Sequence, residues 1–98
     1  MSAHKYELML IADPELDENG LKKLVESYLG TVTKAKGTVD NTDYWGRRKL
    51  AYEIDGKFEG NYAVINYTAE PAVSDELDRL LKLNESIIRT KILRKDTK

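Results

Sequence analysis

Between Tyr6 and Ala35 the spacing of apolar residues changes from two to three and four, and the change falls on a proline. Tyr6, Leu8, Leu10 and Ala12 alternate with other residues, so Lys5 to Ala12 is predicted to be a strand with those four on one face. Tyr6 shares that face with Leu8 and Leu10 and is expected to pack inward. Met9 and Ile11 make the opposite face partly apolar, so something is expected to cover it. Asp13-Pro14 ends the strand, because proline cannot donate to a ladder and is tolerated in a helix only in the first turn. Leu21, Leu24, Val25, Tyr28, Leu29, Val32 and Ala35 then fall on one stripe of a helix. A chain that opens strand–proline–amphipathic helix must lay the helix on the apolar face of a sheet, and that restricts the fold to a layered α/β arrangement.

The helix has local start and stop signals. Asp17 or Asn19 is positioned to cap its N-terminus, and acidic residues early in it suit the positive end of the dipole. Lys34 and Lys36 lie in the last turn, and Gly37 is the expected left-handed stop. Gly30, inside the stripe, is expected to mark a close approach of helix to sheet.

Thr38 to Ile54 is β-branched and aromatic in parts, with Gly46 interrupting it, so a bend or bulge is expected at Trp45-Gly46. Asp55 to Gly60 has turn composition, and Asn61 to Thr68 is the third strand, pairing with the second as a hairpin. Pro71 closes that region. Ser74 is expected to cap a second helix, with Asp75 and Glu76 in its first turn and Leu77, Leu80 and Leu81 as its apolar stripe. Ile87 to Leu93 is the fourth strand. The order βαββαβ gives an α+β domain: a four-stranded antiparallel sheet with both helices on one face and the other face open unless a partner covers it. No linker or repeat divides the 98 residues, so residues 1–98 are expected to form one domain with a short charged tail.

Composition excludes several functions. Without cysteine, neither a disulfide framework nor a thiolate metal site can form. The longest apolar run, Leu8 to Ala12, is far short of the ~20 residues that cross a bilayer, and no apolar stretch of signal length lies near Met1. The one histidine, His4, has no partner cluster for metal or acid–base work. Glu15 to Glu26 approaches a calcium-loop pattern, yet it begins with glutamate where aspartate is needed, follows a strand and proline, and overlaps the helical stripe at Leu21. No nucleophile elbow or glycine-rich phosphate loop is present, and no cofactor is expected. The element order matches the RNA-recognition motif, but the tyrosines of Gly60 to Tyr67 do not stand at the offsets by which that motif stacks bases.

What remains is cationic. Arg47, Arg48 and Lys49 follow Trp45-Gly46, and Arg89, Lys91, Arg94 and Lys95 cluster on and after the last strand. Charged runs are most often a solvated face. Arg89 and Lys91, however, share one side of a strand whose Thr90 and Ile92 point to the core, and cations seldom line a sheet unless anions meet them. Sixteen basic residues against seventeen acidic ones leave a net charge of −1. Any nucleic-acid binding must therefore come from local clusters, not from the global field.

Tyr6-Glu7, Asp13-Pro14, Trp45-Gly46-Arg47-Arg48-Lys49-Leu50-Ala51-Tyr52-Glu53-Ile54 and Leu83-Asn84-Glu85-Ser86-Ile87-Ile88-Arg89 stand in the order of one family. Across essentially its whole length the chain resembles the bacterial small-subunit ribosomal protein S six family. The resemblance implies a ferredoxin-like domain without enzymatic activity, cytoplasmic and resident in the small ribosomal subunit. It also implies binding to the central domain of small-subunit ribosomal RNA as a heterodimer with ribosomal protein S eighteen, with neither DNA nor membrane as a partner. Some members carry a long acidic C-terminal extension, which is not found after Lys98 here. On this reading Arg47, Arg48, Lys49, Arg89, Lys91 and Arg94 are the candidate RNA-binding residues, and Met9, Ile11 and Leu93 the candidate partner-facing ones. A small-molecule-binding regulatory domain of the same fold is the alternative, and it would associate edge to edge around an effector. An acylphosphatase-like enzyme would need an anion-cradling arginine loop after the first strand, where Asp13-Pro14-Glu15 has the wrong charge.

Overall fold

The computed structural model describes residues 3–54 and 56–95. The elements follow in the expected order: β1 (His4–Ala12), α1 (Glu18–Lys34), β2 (Thr38–Ile54), β3 (Lys57–Ala69), α2 (Pro71–Lys82) and β4 (Ile87–Arg94). All pairings are antiparallel, in the order β2-β3-β1-β4, so β3 and β1 are interior and β2 and β4 are edges.

Period-two burial in β1 puts Tyr6, Leu8, Leu10 and Ala12 under the helices, together with Ala63, Ile65, Tyr67 and Ala69 of β3. Leu21, Val25 and Val32 of α1 and Leu77 and Leu81 of α2 complete this core, while Leu24, Tyr28 and Leu29 pack at its margin half-buried. Tyr6 and Tyr67 stack with centroids 5.4 Å apart. Tyr67 hydroxyl and Ser74 Oγ lie 2.8 Å apart and satisfy one another. Burial raises the Tyr67 phenol above its ordinary value, against the opposing effect of that hydrogen bond.

Asp17 caps α1, its carboxylate accepting from Gly20 N–H at 2.6 Å. Three local expectations change. The left-handed residue after α1 is Lys36, at φ 67°, and not Gly37. Gly37 is needed for space instead: a Cβ there would lie 2.7 Å from Val32 Cγ1 and 2.8 Å from the Thr68 carbonyl oxygen. Gly30 makes no close approach, since nothing would stand within 4 Å of its Cβ, and Ala35 falls just past the helix, exposed. Ser74 is not a cap. Pro71 occupies the first turn of α2 behind Glu70, where its fixed φ suits a helix start, and Ser74 turns inward to Tyr67.

The β2–β3 hairpin is longer and tighter at its tip than the turn composition indicated. Ile54 pairs with Lys57, and Gly60, assigned to the turn, is a buried residue of β3. A Cβ on Gly60 would sit 2.3 Å from Ile11 Cγ2 and 3.7 Å from Leu50 Cδ2, so only glycine lets β2 and β1 side chains meet there. Past Lys49↔Glu59 the register slips until Ile54↔Lys57, leaving residues 50–53 of β2 opposite Phe58 alone. Such bulges bend and twist a ribbon. The bent arm brings Tyr52 against Arg89 of β4, with the guanidinium 5.7 Å from the ring centroid and donating to the hydroxyl.

Candidate nucleic-acid and partner interface

The sheet face away from the helices is uncovered apart from this arm, and the register orders its residues in rows. Directly paired residues point to the same face. One row is Gly46, Tyr62, Ile11 and Arg89; the next is Asp43, Val64, Met9 and Lys91; the third is Asn41, Asn66, Glu7 and Leu93. Apolar side chains occupy the middle of the face, and Arg89 and Lys91 follow one another along the β4 edge. A cleft of about 200 Å³ lies between Met9, Ile11, Arg89, Thr90 and Lys91.

The six candidate RNA residues divide between the two faces. Arg48, opposite Gly60, shares the open face with Arg89 and Lys91. Arg47, opposite Asn61, lies on the helix side. It donates to the Pro14 carbonyl, with Glu59 Oε1 at 3.8 Å, and so braces the loop after β1. Asn61 holds the same loop, donating to the carbonyls of Asp13 at 2.9 Å and Leu16 at 3.0 Å. Lys49, opposite Glu59, lines a groove with Pro14 and Glu15 on that side, and Arg94 is paired with inward-facing Tyr6. Of the candidate partner residues, Leu93 is 44% exposed and Met9 is half-buried. Ile11 is only 8% exposed, sealed by the arm around Gly60 and Leu50.

Two features escaped the sequence reading. Trp45, the extra residue at the bulge between Tyr44 and Gly46, lies on Tyr62 with centroids 6.0 Å apart and planes 9° from parallel. The Trp45-Gly46 pair signalled the bulge but not the stacking. The Tyr52–Arg89 contact joins residues 37 apart in sequence and had no local signal. Arg89 spends one of its five donors on Tyr52. Elsewhere, Glu7 on the open face has Lys95 Nζ at 3.8 Å, and Asn41 donates to Asp43 at 3.1 Å. The Tyr44 phenol, raised by burial and by the nearby Glu26, is on the helix side with Lys22 over its ring. Among the described residues no group of three or more His, Cys, Asp or Glu could hold a metal ion, and no helix is long and apolar enough to cross a membrane.

The fold is that of a two-layer ferredoxin-like domain, with Arg89 and Lys91 edging its open sheet face. Residues 5–94 match the family model described as Ribosomal protein S6. The chain is 78% identical over 95 residues to small ribosomal subunit protein bS6 of Bifidobacterium longum (strain NCC 2705), spanning 97% of this chain and 98% of that one. It is 58% identical to the protein of the same name from Micrococcus luteus, over 91% of this chain and 88% of the relative. The crystal structure of 30S ribosomal protein S6 from Thermotoga maritima superposes with a TM-score of 0.88 at 32% identity, covering 96% of this chain and 89% of that one. The C-terminal domain of the MgtC protein from Mycobacterium tuberculosis, at TM-score 0.66 and 11% identity, shares the fold alone. The chain belongs to the ribosomal protein S6 family and is a structural, non-enzymatic constituent of the small ribosomal subunit.

Proposed function

We propose that the open sheet face binds small-subunit ribosomal RNA, in its central domain, as one half of a heterodimer with ribosomal protein S eighteen. The observation that carries this reading is the file of Arg89 and Lys91 along the edge of a face whose middle, at Tyr62, Ile11, Val64 and Met9, is apolar. Apolar residues left uncovered in the middle of a face suit a protein partner, and cations at its border suit phosphate. Met9 and Leu93 serve the partner; Ile11, already covered, supports the arm beside them. Arg48, Arg89 and Lys91 serve the RNA. Arg47 and Lys49, on the helix side, hold the β1–α1 loop and line its groove.

Arg89 is the sharpest test, because Tyr52 holds its guanidinium in place before RNA arrives and little side-chain entropy is left to lose. In the heterodimer, Arg89→Ala should lower RNA affinity and flatten the plot of log affinity against log salt by about one unit, the signature of one lost phosphate contact. Filter binding across a salt series measures both. An unchanged slope would take Arg89 out of the RNA interface.

A further inference from the structure

Trp45 is placed with more care than a surface residue requires. β2 gains one residue over β3 between Tyr44 and Gly46, and Gly46 adopts φ +83°, a conformation that side-chain-bearing residues rarely take. Nothing would stand within 4 Å of a Cβ on Gly46, so conformation and not space dictates glycine there. The outcome is an indole laid flat on Tyr62 yet still 45% exposed. Tyr62 backs one π-face. Arg48 lies over the ring, its guanidinium 5.7 Å from the indole centroid and its Nε 3.4 Å from the Trp45 carbonyl oxygen, so an incoming base shares the indole with a cation already at hand.

We propose that Trp45, backed by Tyr62, is a stacking platform for one unpaired RNA base, with Arg48 holding the phosphate of that nucleotide. This rests on the reading that the open face binds RNA and adds to it a base contact on the side of the sheet opposite the Arg89 and Lys91 edge. It does not use the third-strand signature of the RNA-recognition motif, because the aromatic that meets the base comes from the bulge in β2. Three observations favour a base over a protein side chain. The surface offered is a flat ring supported from behind by a second ring at 9°, which suits another planar π-system. Its surroundings are charged and polar, with the Arg48 guanidinium over the ring and the hydrogen-bonded pair Asn41 and Asp43 further along the strand, where the apolar middle of a protein interface would be depleted of charge. Arg48 also complements phosphate, whereas a buried guanidinium in a protein contact would need a partner's carboxylate.

Trp45 is the only tryptophan, so 5-fluorotryptophan gives this chain one fluorine resonance. The protein partner is added first, then a fragment of the central domain of small-subunit ribosomal RNA as the probe. The resonance should hold on partner addition and shift on RNA addition, as a stacked base imposes its ring current. Trp45→Ala should weaken RNA binding by the heterodimer roughly 5- to 150-fold, the range one base–aromatic stack spans, with the salt slope unchanged because no charge is lost. Trp45→Phe, which keeps a ring, should recover most of that loss. RNA binding that leaves the resonance unmoved and is indifferent to Trp45→Ala would overturn the platform. A shift on partner addition, with partner and not RNA affinity lost in Trp45→Ala, would overturn it in favour of a protein contact. Both outcomes leave the Arg89 result standing, whereas an unchanged slope in Arg89→Ala indicts the underlying RNA reading.

Discussion

Leu10→Ala should lower the unfolding free energy by about 2–5 kcal/mol, from lost burial plus the cavity left behind. Leu10 is 1% exposed in an interior strand, with Ala63 on one side and Thr90 on the other, and the helices close over it. Ala63 carries only a methyl, which no side-chain rotation can swing into the gap, and the backbone of β1 is held by ladders on both sides, so collapse around the site is limited. Against a total stability of about 5–15 kcal/mol for a domain of this size, the loss is large. Each kcal/mol should cost roughly 4–8 °C of Tm. Chemical denaturation measures it as a fall in midpoint at constant m value. Leu24→Ala, at the half-buried margin of α1, should cost less. A Leu10→Ala midpoint equal to wild type would mean that the face of β1 is misassigned.

The largest effect expected on binding is that of the protein partner. The phosphate contacts proposed for this chain are three, Arg48, Arg89 and Lys91, because Lys95 lies beside Glu7 and Arg47 is committed to the Pro14 carbonyl on the other side. Three phosphate contacts give a salt slope of roughly −2 to −3, and non-specific binding of this kind has Kd values of about 10⁻⁴–10⁻⁶ M at physiological salt. A net charge of −1 adds no long-range attraction. Site-specific complexes are typically at least about a thousandfold tighter than non-specific ones, and that gain should appear only when the partner is present. Filter binding with and without the partner reads the difference. Tight, salt-steep binding by this chain alone would make it an independent RNA binder and end the shared-surface account.

The fold was legible because its determinants are local. Alternation from Tyr6 to Ala12, the stripe from Leu21 to Val32 and the Trp45-Gly46 bulge each lie within one element. Misassignments occurred where a residue has two possible uses and a distant contact decides. Ser74 is a good capping residue, but buried Tyr67 needed a hydroxyl and Pro71 already began the helix. The close approach expected at Gly30 is made at Gly37, since tightness at a glycine depends on what stands opposite, here Val32 and Thr68, and Lys36 takes the left-handed stop. The site was half legible for the same reason. Alternation along β4 put Arg89 and Lys91 on the open face. In β2, adjacent arginines point to opposite faces, and only the pairing with Gly60 and Asn61 tells which of Arg47 and Arg48 is free to meet RNA. Ile11 belongs to the open face as its position in β1 indicated, yet the arm that seals it is made by a slip in register that no local pattern announces.

Lysine acetylation compared between the free chain and intact small ribosomal subunits, read residue by residue by mass spectrometry, tests most directly whether the open face is the one buried in the ribosome. Lys91 stands on that face, and Lys22, Lys23 and Lys82 stand exposed on the helices that cover the other. All four should react in the free chain. In the subunit Lys91 should be protected while Lys22, Lys23 and Lys82 keep reacting. Continued reaction at Lys91 with protection along the helices would contradict the account and turn the domain around.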